Sequence, residues 1–364
     1  MSNRFWDSLF DIDTFSVSWE VVPGRGAREK AQTDVIQAAR EAAREGWMHA
    51  LTITDNPGGR PALSASLLGM EILGAGIQPL VHFTCKDKIR NQIESELYAL
   101  DRARVHNLLV MSGDYPVEGF KGRAMPVFDL DPVHVLEMVD AMNQGWQVFA
   151  PQGPLVHQPS QFLAGAVVSP FKATEAELMM QYYKLQKKIA AGAAFIVTQL
   201  GYDARKFHEV LQFVRNCAPN LPVIGNIYIL PYGTARMMNA NQLPGCVVTD
   251  PLLAQLDQER QEEDKGLAAR LLRAAKMYAF MKGMGFDGVH IGGHNIQYEQ
   301  VRYVIEIGEQ LSPEWLQIIP EFDFPQPDGF YYYVKDPASG LNTPVPINRA
   351  DRPPDHPVTL NHRL

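Results

Sequence analysis

The amino-acid sequence predicts an α/β protein folded as a (β/α)8 TIM barrel, with a proline- and aromatic-rich C-terminal extension. Three observations predict it. Apolar runs of strand length alternate with stretches of helical period almost from end to end. Eight such strands can be counted in order, and parallel strands need helical crossovers between them. Polar residues recur where the runs end, which is where a barrel keeps its site. An open doubly wound sheet fits the same period and is the structural alternative.

Strand one is Thr14–Val22 (TFSVSWEVV), β-branched and aromatic, and Pro23-Gly24 ends it. Arg28–Glu45 repeats alanine and apolar residues at helical spacing and stops at Gly46. Strands follow at His49–Thr54, Leu80–Cys85 and Asn107–Met111, with helices near Leu63–Leu73 and Asp87–Ala103 between them. Asp131-Pro132 marks a helix start, because proline at the first turn lacks only an N–H that has no partner there. After a polar, proline-bearing connection come strand Leu163–Val168, helix Thr174–Ala191, strand Phe195–Gln199, helix Asp203–Asn216 and strand Pro222–Asn226. Thr234–Lys282 reads as mostly helical, with the mixed charges of Asp257–Lys265 on a solvated helix face. Strand Gly288–Ile291 and helix Gln297–Leu311 complete the eight.

The alternation ends near Ser312, which divides the chain into a barrel, 1–311, and an extension, 312–364. The aromatic cluster Phe330–Tyr333 is too apolar to be solvated, so it is expected to pack on the barrel or on a neighbouring subunit. Pro344, Pro346, Pro353, Pro354 and Pro357 are expected to prevent regular pairing, and the last residues to be mobile.

Composition narrows the function. With 364 residues, the chain is long for one ordinary domain but within the range of one α/β barrel. The balance of 33 basic and 41 acidic residues gives a net charge of -8, which disfavours a broad nucleic-acid surface. Three cysteines without Cys-x-x-Cys spacing argue against a disulfide framework or a cysteine-rich zinc site. No apolar signal core and no long apolar span is present, so a soluble, cytoplasmic protein without a membrane partner is expected.

The strand ends supply the candidate site: Glu20, Thr54-Asp55, His82 and Thr84, Ser112-Gly113-Asp114, Ser169, Gln199, Asn226 and Gly292-Gly293-His294. Glu20 lies in an apolar strand. It is either an outward, solvated residue or a carboxyl whose pKa an apolar wall raises toward neutrality, fit to donate a proton. Asp114 is either a turn aspartate or a fixed negative charge facing a developing cation. Lys187-Lys188 reads as a solvated helix face or as a phosphate contact. His82, His290 and His294 come from distant strands without ligand spacing, and no metal is expected.

At these residues the sequence resembles the methylenetetrahydrofolate reductase family, over roughly Phe15 to Ile305. The resemblance rests on Ser18-Trp19-Glu20 with Pro23, His82-Phe83-Thr84-Cys85, Val110 to Asp114 (VMSGD) with Pro116, and Ala191-Gly192-Ala193 leading to Val197-Thr198-Gln199 and Asp203. It implies a (β/α)8 barrel that binds FAD and moves a hydride between NADH or NADPH and a tetrahydrofolate, interconverting the 5,10-methylene and 5-methyl forms. It implies Glu20 as the acid that protonates N10 and opens the folate ring, and Asp114 as the carboxylate favouring the resulting 5-iminium cation. Gln199 is implied as a pterin contact, with Asn226 as a further substrate-binding position. Thr54, His82, Gly113 and Lys188 are implied as flavin-contacting positions; Ser169, at a strand end, and Lys187, beside Lys188, are further cofactor-binding candidates, and a homo-oligomer is expected.

The chain departs from the family at Ser112, where an arginine is usual, and at Ser169, where a tyrosine often stands. Gln181 and Lys184 replace an aspartate and an asparagine, and Gly292 and Ile296 replace a tyrosine and an arginine. A variant running toward methyl-folate oxidation, or a flavin-independent folate barrel in methyl transfer, are the alternatives. FAD and a polyglutamylated folate are both anionic. The mouth therefore needs local positive charge, for which Lys172, Lys184, Lys187 and Lys188 are the candidates.

Overall fold

A computed structural model describes residues 3–348. Eight parallel strands close into a barrel: β1 (Ser16–Val21), β2 (Ala50–Ile53), β3 (Gln78–Thr84), β4 (Asn107–Met111), β5 (Leu163–Val168), β6 (Ile196–Thr198), β7 (Val223–Ile229) and β8 (Gly288–Gly293). They follow chain order around the ring. β8 closes on β1, with Ser18 opposite His290 and Trp19 opposite Ile291. This is the predicted (β/α)8 barrel, and the open-sheet alternative falls.

The helices are α1 (Arg4–Phe10), α2 (Lys30–Glu45), α3 (Ala65–Gly74), α4 (Arg90–Arg102), α5 (Pro132–Gln144), α6 (Glu175–Ala190), α7 (Ala204–Cys217), α8 (Tyr232–Asn239), α9 (Asp250–Glu259), α10 (Leu267–Met284) and α11 (Tyr298–Leu311). The start of α5 is the one the sequence predicts. Pro132 sits in its first turn and the Asp131 side chain accepts the Val133 N–H at 3.0 Å.

Two apolar layers hold the barrel. Along β1 the period of two turns Val17, Trp19 and Val21 toward the surrounding helices and leaves Ser16, Ser18 and Glu20 for the interior. The interior layer gathers Ala50, Leu80, Leu109, Leu163, Phe195, Val197 and Ile224, one or two from each strand that contributes. Phe5 and Leu9 of α1 complete it, so α1 plugs the amino-terminal end of the barrel. The fully buried Phe5 alone contributes about 2–3 kcal/mol by area removed from water. In the sequence α1 leaves little signal, because the single apolar spacing from Phe5 to Leu9 is too short to stand out among its polar neighbours.

Four other expectations change. The connection before β5 carries an antiparallel hairpin, Gln147–Ala150 with Gly153–Val156. Strand seven runs on to Ile229, three residues beyond its predicted end at Asn226. The charged run Asp257–Lys265 spans the end of α9 and the turn into α10, rather than one helix face. The extension does form a ladder, with a register shift: Tyr333–Lys335 lies antiparallel to Asn342–Pro346, although Pro344 and Pro346 belong to the second strand. A two-stranded ladder leaves its outer edge unpaired, so a proline without an N–H is accommodated there. Ser312–Phe322 is also almost wholly helical, in three short turns. Pro353, Pro354 and Pro357, and with them the expected mobility of the last residues, lie outside the described residues.

The aromatic cluster packs on the barrel's helices. Tyr332 meets the rings of Tyr182 on α6 and Phe213 on α7 edge-on. Beneath it, Lys206 and Glu209 of α7 form a buried ion pair at 3.1 Å. Lys206 also donates to the Phe330 carbonyl, and Glu209 accepts from the Tyr182 hydroxyl and the Tyr332 N–H. Among the described residues no helix is long and apolar enough to cross a membrane.

Candidate active site

The carboxyl ends of the strands bring Glu20, His82 and His290 to one point inside the barrel. His290 Nε2 stands 3.4 Å from Glu20 Oε2, and the His82 and His290 rings lie 5.9 Å apart. On its other side His290 Nδ1 faces Ser18 Oγ and Thr52 Oγ1, each at 3.4 Å. His294 is exposed and takes no part in this group.

Glu20 faces inward, with a side chain 20 % exposed, so the outward reading is wrong. The expected upward shift of its carboxyl is also overturned. Burial does push it up, but the hydrogen bond and the field from His290 outweigh that and hold it below the usual glutamate value. For His82, burial wins outright. Its pKa falls to about 4, which leaves the ring neutral through the physiological range.

Around this centre stand residues that the strand-end survey missed. Tyr228 reaches the mouth because β7 is longer than predicted, and burial together with the nearby Glu20 carboxylate pushes its phenol up to about 12. Cys246, on the connection after α8, is pushed up to about 11 by burial and then by the charges of Asp114 and Glu20. That thiol thus feels the field of both carboxylates. Gly245 beside it sits against the Gln199 amide. A tyrosine two positions past a predicted strand end was the one signal available; a cysteine brought in by a long loop left none.

The remaining candidates divide. Asp114 is exposed, and its Oδ2 accepts the Gly58 N–H at 2.9 Å, which fixes the carboxylate on the loop after β4. Gly113 has a φ of 83°, and a Cβ there would lie 2.7 Å from the buried Lys86 side chain, so only glycine fits. Asn226 lies within β7 opposite His290, its N–H donating to Thr198 Oγ1 at 3.0 Å. Lys188 is buried behind β5, where its ammonium donates to the Val167 carbonyl at 2.6 Å and burial lowers its pKa to about 8. Lys187 is exposed over the Tyr183 ring, so the structure does not gather it with Lys188. Lys184 pairs with Asp131 at 2.5 Å.

Beside Glu20 the wall opens. Gly292 is buried so close that a Cβ would stand 3.2 Å from Glu20 Oε1. On the outer side of β1, a cleft of about 650 Å³ lies between α2 and the start of α11, lined by Trp19, Glu20, Val35, Ile296 and Tyr298.

The fit to a flavin can be tested on orphaned atoms. Thr54 Oγ1, His82 Nε2 and Ser169 Oγ are buried without hydrogen-bond partners, and all three stand near the carboxyl ends of strands. Buried polar atoms in folded proteins are normally satisfied, so unsatisfied hydroxyls at a barrel mouth fit the polar edge of a bound group.

The methylenetetrahydrofolate reductase family model matches residues 7–305. The chain belongs to the methylenetetrahydrofolate reductase family. It is 24 % identical over 260 residues to methylenetetrahydrofolate reductase 2 of Schizosaccharomyces pombe, a match covering 68 % of this chain and 38 % of that protein. The chain therefore spans well under half the length of that relative. Among solved structures, a protein from Clostridium thermocellum described as binding two copies of 5-methyl-5,6,7,8-tetrahydrofolic acid superimposes with a TM-score of 0.57. That match covers 85 % of this chain and 99 % of the other at 10 % identity, and shows a shared fold.

Proposed function

We propose that this family member binds a reduced folate in the barrel mouth and interconverts its 5,10-methylene and 5-methyl forms, with FAD as hydride carrier and NADH or NADPH as the electron donor or acceptor. The observation that carries the reading is the inward Glu20 braced by His290 at 3.4 Å. The Clostridium thermocellum protein of the same fold, which binds a methylated folate, supports the substrate class.

Bound FAD would supply the hydride chemistry, with Thr54 Oγ1 and Ser169 Oγ as the orphaned donors available to hold it. Opening the folate ring needs a proton at N10. Glu20 is held down as a carboxylate with His290 3.4 Å away, so it is not an isolated, upshifted glutamic acid. N10 takes the proton at Glu20, and the Ser18 and Thr52 hydroxyls keep the imidazole oriented. Asp114, anchored by the Gly58 N–H, sets a negative charge toward the cation that ring opening creates. Gln199 accepts the Leu200 N–H with its Oε1, leaving the amide nitrogen toward the mouth for a pterin.

The test is spectroscopic. Purified protein is expected to show a flavin absorption band, or to acquire one on adding FAD, and that band is expected to bleach with NADH or NADPH and recover with methylenetetrahydrofolate. Protein that takes up no FAD overturns the cofactor. Protein that binds FAD but neither folate form overturns the substrate.

A further inference from the structure

We propose that Glu20, His82 and His290 form a transition-metal site that takes one divalent cation of the zinc class at the centre of the barrel mouth. The site stands on the geometry of three side chains and does not rest on the folate reading.

One ligand atom from each residue lies within 4.8 Å of the other two. The 3.4 Å between His290 Nε2 and Glu20 Oε2 is long for a hydrogen bond, whose usual length is about 2.9 Å. It matches the edge of a tetrahedron drawn with zinc–ligand bonds of about 2.0–2.1 Å, which is about 3.3–3.4 Å. His82 Nε2 completes the set. It is buried and without a hydrogen-bond partner, and so is free to turn toward the third corner. Two imidazoles and one carboxylate select zinc, cobalt or nickel over magnesium or calcium.

The surroundings suit ligation. Ser18 and Thr52 hydroxyls flank His290 Nδ1, so a proton held there leaves the Nε2 lone pair free for the ion. Three protein ligands leave a fourth position for water, and the Glu20 side chain is 20 % exposed. The three residues come from β1, β3 and β8, so no spacing along the chain announces them. An ion seated there occupies the Glu20 carboxylate and blocks its proton transfer.

The experiment uses the full chain without an affinity tag, stripped with a chelator and titrated with Co2+ and with Zn2+. One equivalent is expected to bind, Co2+ giving the visible bands of four-coordinate cobalt. X-ray absorption of the zinc form is expected to show nitrogen and oxygen neighbours. His290→Asn, His82→Gln and Glu20→Gln are each expected to weaken binding at least about 100-fold, and Ser18→Ala about 10-fold, with unchanged circular dichroism. Ser18→Ala keeps all three ligands and serves if the others misfold. No stoichiometric binding, sulfur in the zinc shell, or equal affinity in well-folded variants overturns the site. Binding of 5-methyltetrahydrofolate to the stripped protein is measured separately, so loss of the folate reading and loss of the metal site give different results.

Discussion

Glu20 Oε2 and His290 Nε2 meet at 3.4 Å although 270 positions separate them in the chain. They meet because β8 closes the barrel against β1 in a register that sets Ser18 beside His290. The inward period of two then brings Glu20, one strand step up from Ser18, over the imidazole. Closure of the barrel therefore decides the protonation of its proposed acid.

Replacing Glu20 with glutamine removes the proton donor and keeps the shape. Folate turnover is expected to be abolished, while reduction of bound flavin by the nicotinamide stays within a few-fold of normal. Stopped-flow measurement of the two half-reactions separates these outcomes. Equal loss in both would remove the role assigned to Glu20.

Asp114→Asn keeps an acceptor for the Gly58 N–H but removes the charge. Folate chemistry is expected to slow by about 10²-fold or more, the range for a lost electrostatic stabiliser. Single-turnover rates with methylenetetrahydrofolate measure it, and near-normal rates would show that the charge is not used.

Lys188 gives a pH dependence. Its pKa is lowered to about 8 by burial, against about 10.4 in an unfolded chain. Between those values the unfolded state binds more protons, so this residue makes stability rise with pH through that window. Below about pH 8 the cost of burying the ammonium is felt in full. Denaturant unfolding of wild type and Lys188→Met from pH 7 to 10 is expected to show a slope difference of at most one proton. Parallel curves would mean that Lys188 titrates normally.

The buried pair under the extension predicts an asymmetry. Glu209→Ala strands the Lys206 ammonium in a site 2 % exposed and frees the Tyr332 N–H, at an expected cost of about 3–5 kcal/mol. The double variant Lys206→Met with Glu209→Leu is expected to recover much of that loss. Chemical denaturation gives the energies. Limited proteolysis of Glu209→Ala is expected to cut within 324–333 first, because the Tyr332 N–H loses its bond to α7.

The sequence by itself determined the barrel. Strand and helix periods report burial on one or two faces, which is a local property, and Ser18-Trp19-Glu20 and VMSGD carried the family resemblance in adjacent residues. Tertiary structure decided the rest. It set where β7 ends and hence that Tyr228 reaches the mouth, and it brought Cys246 into the field of both carboxylates. It found a ladder in the extension despite its prolines, because an edge position asks nothing of the missing N–H. It also reversed the expected shift of Glu20. An apolar strand implies a carboxyl pushed up by desolvation, but a pKa depends on every charge within a few ångströms, and the decisive one comes from the opposite end of the chain.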